Sequence, residues 1–187
     1  MSSYKKDQKN KCWTRQRKDG SPYVTCEGDE GSSSRHHRGD RFHQPPDLSK
    51  PPSYGWDEVD RNIETTIQGS HSDWVDRVNS SGEWDYKEKK EDEERHPWSE
   101  RERMGNVNYG ATCVAVGHDP DLCLRAGGAF QGYSDWNNDH EPFVNSSGRP
   151  WDLDGTSCYG EPADDCQQVI EGIRYGLDYL NRTGRRR

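Results

Sequence analysis

Long apolar runs are missing from this chain. No stretch approaches the roughly 18 residues of a membrane helix, so a helical membrane protein is excluded. Large apolar residues are scarce too: AVILMFWYC make up 27% of the 187 residues, with three Phe and two Met. A globular domain carries roughly 45% when Gly is included, so any core is small. Mean hydropathy is -1.36. The first eleven residues hold no apolar segment, so a cleaved secretory signal is not expected. A phosphate loop, a dinucleotide fingerprint, a paired CxxC and a Ser-His-Asp ordering are all absent, which removes the readiest nucleotide, zinc and serine-hydrolase readings.

What is present is uneven. Residues 1–53 carry eleven Lys or Arg against seven Asp or Glu, a net +4, while the remainder carries 15 against 27, a net -12. An acidic body argues against tight non-specific binding of nucleic acid, which needs clustered positive charge. Six cysteines in so polar a chain are hard to hide as buried thiols. An even number reads as three bridges, and bridges belong to oxidising compartments.

Residues 10–28 read as a β-hairpin. With Lys18-Asp19-Gly20 as a three-residue loop, Arg17 faces Ser21 and Cys12 lands opposite Cys26, which favours a cross-strand disulfide. Residues 29–53, with Gly31-Ser32-Ser33-Ser34, Arg35-His36-His37-Arg38, Pro45-Pro46 and Pro51-Pro52, read as a disordered linker. His36, His37 and His43 there read as solvated polar residues rather than metal ligands.

The body, residues 54–187, reads as mainly α (α+β at most): a small single domain of helices with long Gly/Asn/Pro-rich loops. Trp56, Val59, Ile63 and Ile67 recur at helical spacing ahead of Gly69. Ser72 reads as the cap of a short helix with Trp74, Val75 and Val78. Asp119-Pro120 starts a helix to about Gln131, followed by a loop over 132–162. Asp164 or Asp165 opens a last helix through Val169, Ile173, Leu177 and Leu180 to Gly184.

Four blocks carry a resemblance: Trp84-Asp85-Tyr86-Lys87; Gly105-Asn106-Val107-Asn108-Tyr109-Gly110-Ala111-Thr112; Leu124-Arg125-Ala126-Gly127-Gly128-Ala129 with Gln131; and Asp165 ahead of Gly172-Ile173-Arg174-Tyr175. In this order, over roughly residues 56–182, they resemble the polymorphic toxin type 44 domain, found at the C-terminal tip of bacterial toxins delivered into competing cells. The chain departs from that pattern with Cys113, Cys123 and Cys166 in place of Gly, an aliphatic residue and Gln. With Cys158 these suggest two further bridges; Cys113–Cys123 with Cys158–Cys166 is one of three pairings.

The resemblance implies a toxin and leaves its substrate open, so the residues are read directly. Asn106, Asn108 and Tyr109 are expected in a Gly-bounded turn facing a cleft. Lys87, Arg125 and Gln131 join them as substrate contacts. Asp85 and Asp165 are the expected catalytic carboxylates, and Asp165 at a helix start is expected to favour its ionised form. A glycan hydrolase needs such a pair, and seven Trp offer faces for sugar. A ribonuclease would use His118 or His140 with Arg125, Lys87 and Tyr109. A non-catalytic disulfide-stapled binding module is the third alternative. No cofactor or metal is expected. The expected partners are a polymeric substrate of a target cell, a cognate immunity protein, and delivery machinery engaging the N-terminal segment; the expected place of action is outside the producer, in an oxidising compartment.

Overall fold

The structure is a computed structural model that describes residues 41–138, 140–143, 148–152 and 158–185, and the backbone of three short strands near the N-terminus. The chain divides into two compact units, Met1–His36 and His37–Arg187. In the first, β1 (Lys6–Asp7), β2 (Cys12–Gln16) and β3 (Pro22–Cys26) form an antiparallel sheet in that order. Cys12 is the register partner of Cys26. The side chains of these strands, and with them the expected Cys12–Cys26 bridge, lie outside the described residues.

The second unit is helical, with five helices among its described residues: α1 (Trp56–Gln68), α2 (His71–Val78), α3 (Trp98–Ala115), α4 (Pro120–Asn137) and α5 (Ala163–Thr183). Their ends follow from local chemistry. Asp119 caps α4 by accepting the Asp121 N–H, with Pro120 in the first turn. Gly184 ends α5 in the left-handed conformation. The cap of α2 is Ser70 rather than Ser72: Ser70 and Asp73 satisfy each other's backbone N–H in a capping box. The expected loop at residue 132 also begins later, because α4 continues to Asn137, and Gly132 serves as the place where the Phe143 ring packs against the helix. No helix of the described residues is long and apolar enough to cross a membrane.

The core is organised around α3. From Met104 to Ala115 this helix is buried on almost every side, by Val59 and Ile63 of α1, Leu124 of α4 and Val169, Ile170 and Ile173 of α5. Asn106, Asn108 and Tyr109 therefore lie on a helix, not in the expected turn. The physical reason is the seam with α5. A Cβ on Gly110 would stand 2.2 Å from the Val169 carbonyl oxygen, and one on Gly172 would stand 2.0 Å from that of Val107. Only glycine lets two backbones approach so closely, and the packing gained outweighs its poor helix propensity of about 1 kcal/mol per residue.

Two disulfides close the body, Cys113–Cys123 and Cys158–Cys166, with Cα separations of 6.0 and 5.7 Å. The first joins the end of α3 to the start of α4; the second joins the turn before α5 to its first residues. Residues 41–53, read from composition as linker, pack on the helical body. Phe42 is in the core, the Arg174 Nε donates to the Arg41 carbonyl, and Arg103 donates to that of Lys50.

Candidate functional site

Acidic groups converge where the start of α5 meets α3 and α4. Glu161 lies in the turn from Cys158, its N–H donating to the Cys158 carbonyl at 3.0 Å. That turn passes through two left-handed residues, Tyr159 (φ 55°) and Gly160 (φ 114°). The Glu161 side chain is buried, 8% exposed, against Gly127 of α4 and the Tyr109 ring. A Cβ on Gly127 would stand 2.6 Å from the Glu161 Oε1, so the glycine makes the space the carboxyl occupies. Burial, reinforced by Asp165 and Asp135 and opposed by Lys87, pushes the Glu161 carboxyl up to about 7.

Asp165 sits one turn further, on α5. Asn106 donates one amide to both the Asp165 Oδ1 (3.0 Å) and the Gln168 Oε1 (2.9 Å). The ionised form expected from the helix start is favoured here by Lys87 and the Asn106 hydrogen bond and opposed by burial. Burial pushes the Asp165 carboxyl above its ordinary value, with Asp164 adding to the effect and Lys87 and the Asn106 hydrogen bond opposing it. Glu102 on α3 is raised for the same reason, by burial and by Asp165 against the nearby lysine.

One cation serves all three carboxyls. Lys87 forms an ion pair with the Glu102 Oε1 at 3.3 Å, and its charge also bears on Glu161 and Asp165. Its position is set from below. The buried guanidinium of Arg101 donates to the Lys87 carbonyl at 2.7 Å and to that of His96 at 3.1 Å, fixing the short turn Tyr86–Glu88. Asp85 closes the same segment by accepting the Ser81 N–H at 2.8 Å.

The other expected residues divide. Gln131 reaches the cluster's edge through Asp135, donating to its Oδ1 at 2.8 Å. Asn108 is in the core, its Oδ1 accepting from Asn62, which also donates to the Tyr86 hydroxyl. Arg125 pairs with Asp121 at 2.9 Å, donates to the Pro150 carbonyl, and lies 4.0 Å from the Tyr159 ring centre. The Tyr159 hydroxyl donates to Asp121 at 2.6 Å, so this group anchors the Glu161 turn to α4. His118 is engaged with His71, Nε2 to Nε2 at 2.9 Å, and with the Trp74 ring; burial, with His71, lowers it below the ordinary imidazole value. Among the described residues, no group of three or more His, Cys, Asp or Glu is arranged to hold a metal. A cavity of about 650 Å³ lies elsewhere, between the 42–46 segment and the C-terminal parts of α3 and α5.

Glu161 and Gln168 are not among the expected residues. Glu161 stands in a Gly-Glu-Pro turn without periodicity; the clue the sequence holds is its place between Cys158 and Cys166.

The order of blocks and the helical body that assembles them meet in one comparison: the family model of bacterial toxin 44 matches residues 73–178, more than half of the chain. The chain belongs to the bacterial toxin 44 family. The matched span begins in α2 and ends near the end of α5, so it contains Lys87, Asn106, Glu161 and Asp165 and leaves out the N-terminal unit. No curated protein matches the chain, and no solved structure does.

Proposed function

We propose that this member of the toxin family is a delivered antibacterial effector that hydrolyses glycan of the cell envelope. The observation that carries the reading is the buried Glu161 carboxyl, held near neutrality beside Asp165. Glycosidic cleavage needs two carboxyls in different protonation states, one to give a proton to the leaving oxygen and one to activate water or attack the sugar. Glu161, pushed up to about 7, keeps a protonated fraction near neutral pH and acts as the acid. Asp165, whose ionised form Lys87 and Asn106 favour, acts as the base or nucleophile.

This assignment gives the acid role to Glu161 in place of Asp85, which serves instead to close the turn that presents Lys87. Gln168 and Asn106 orient Asp165; Tyr109 and Gln131 border the site. Arg125 acts through the Tyr159 anchor, and Asn108 through the core. Exposed aromatic residues, among them Trp136 and Trp151, each 67% exposed, supply faces on which sugar rings stack. The two disulfides fit action in an oxidising envelope. The N-terminal unit is proposed as a delivery tag and an immunity protein as the producer's protection.

Expression of residues 41–187 in bacteria, with and without a periplasmic export signal, tests this. Lysis and loss of cell shape on export only are expected. Killing from the cytoplasm with intact walls and degraded RNA would replace this reading with a ribonuclease, for which His118 and His140 are the bases to substitute.

A further inference from the structure

Glu161 and Asp165 stand on either side of the join between an anchored turn and the first turn of α5, which the chain crosses through Pro162. The Glu161 turn is anchored to α4 by Tyr159 on Asp121 and by the fit of Glu161 into the space at Gly127. Asp165 belongs to α5. The bond that ties the anchored turn to α5 from its far side is Cys158–Cys166, which encloses Glu161 and Asp165 within an eight-residue separation. Its partner sulfur is on the residue next to Asp165, and Cys166 is fully buried. The turn it closes holds Tyr159 in the left-handed region, a conformation that a non-glycine residue keeps only under constraint.

We infer that the Cys158–Cys166 bridge is a redox gate on the carboxylate site: closed, it holds Glu161 beside Asp165; open, it frees the Cys158 end of the turn from α5 and lets Glu161 leave its place. This rests on the reading of those two carboxyls as the reactive pair. Closing converts two thiols to one S–S bond by exchange with a disulfide-bearing oxidant, which accepts two electrons and two protons and leaves as a dithiol. Opening is the reverse exchange with a dithiol reductant. A chain made in a reducing cytosol is then inactive before export and acquires its site on reaching an oxidising compartment. The Cys113–Cys123 bridge is the internal control. It is as deeply buried, and its nearest tie to the site is the Tyr109 hydroxyl donating to the Cys123 carbonyl at 2.9 Å.

The test uses the full chain as wild type, C158S/C166S, C158A/C166V and C113S/C123S. The second gate variant keeps the buried position of Cys166 filled with an apolar side chain. Three readings are taken on each: the titration midpoint of the Glu161 carboxyl by NMR, proteolytic cleavage within residues 158–166, and release of soluble fragments from purified sacculi. In the folded gate variants the Glu161 midpoint is expected to fall from about 7 toward its ordinary 4.5. Cleavage in the turn should appear, and fragment release should drop about 10²-fold, the scale of a small misplacement of a reacting group. The control variant should lower the melting temperature and leave the midpoint in place. An unchanged midpoint and a protected turn in either gate variant overturn the gate. So does failure of both gate variants to fold, because the bridge is then a staple of the whole body. If the midpoint falls as expected and wild type releases nothing from sacculi, the gate stands and the glycan reading fails. If wild type releases fragments and the midpoint does not move, the glycan reading stands and the gate fails.

Discussion

The seam between α3 and α5 and the carboxyl cluster at the start of α5 use the same two helices for opposite ends. Along the seam, Gly110 and Gly172 bring backbone against backbone, and the side chains around them are apolar and fully buried. At the cluster, Glu102, Glu161 and Asp165 are drawn out of water around a single lysine, and each is pushed above its ordinary value by that burial. The seam is where stability comes from. The cluster gives some of it back, because burial makes each carboxyl harder to ionise in the folded chain than in the unfolded one. A protein keeps such a cost where a reaction needs a proton near neutrality.

This contrast fails most visibly if the cluster is not catalytic. Glu161→Gln and Asp165→Asn are each expected to lower fragment release from sacculi by about 10³-fold, within the range of general acid–base catalysis, while circular dichroism stays as in wild type. Full activity of either variant would remove it from the pair. On the seam the effect is on folding. Gly172→Ala drives a Cβ into the Val107 carbonyl, and denaturant titration should record a loss of about 3 kcal/mol or more. An unchanged midpoint would mean that the two helices do not cross this closely.

Helices α1 and α5 are legible in the sequence because their apolar residues recur on one face and Gly69 and Gly184 punctuate their ends. The centre of the fold is not. Helix α3 is buried nearly all round, so no polar face marks it as a helix, and its glycines resemble a turn until the partner helix is in place. Of the site, Lys87, Asn106 and Asp165 are legible through the family blocks. Glu161 is not, since its burial depends on Gly127, 34 positions earlier in the numbering, and its neighbour Asp165 comes close only through the fold. Asn108 shows the converse. It shares a block with Asn106 but points into the core to Asn62, a difference set by the helical rotation between positions two apart.

The stability cost at the cluster has a defined sign. The folded value of Glu161 is raised from 4.5 to about 7, so its protonated form is favoured by folding. Stability is full below about pH 4.5 and declines as pH rises to 7. Glu161→Gln should therefore leave the unfolding free energy unchanged at pH 4 and raise it by up to about 3 kcal/mol above pH 7. Chemical denaturation at the two pH values measures this, and a loss of stability at pH 8 would show that the carboxylate is well solvated. The smallest effect separates one glycine from another. A Cβ on Gly105 meets nothing within 4 Å, so Gly105→Ala should stabilise α3 by about 1 kcal/mol, a rise in melting temperature where Gly172→Ala gives a fall.

At the heart of the proposed mechanism, a protonated Glu161 works with an ionised Asp165 on envelope glycan. The rate of fragment release from purified sacculi between pH 4 and pH 9, with the products identified by mass spectrometry, reads this out without an intermediate step. Sugar-chain fragments are expected, with a rate that falls as pH rises through about 7 as Glu161 loses its proton, and with that descending limb gone in Glu161→Gln. Intact sacculi at every pH, or a rate that keeps its limb without Glu161, would contradict it.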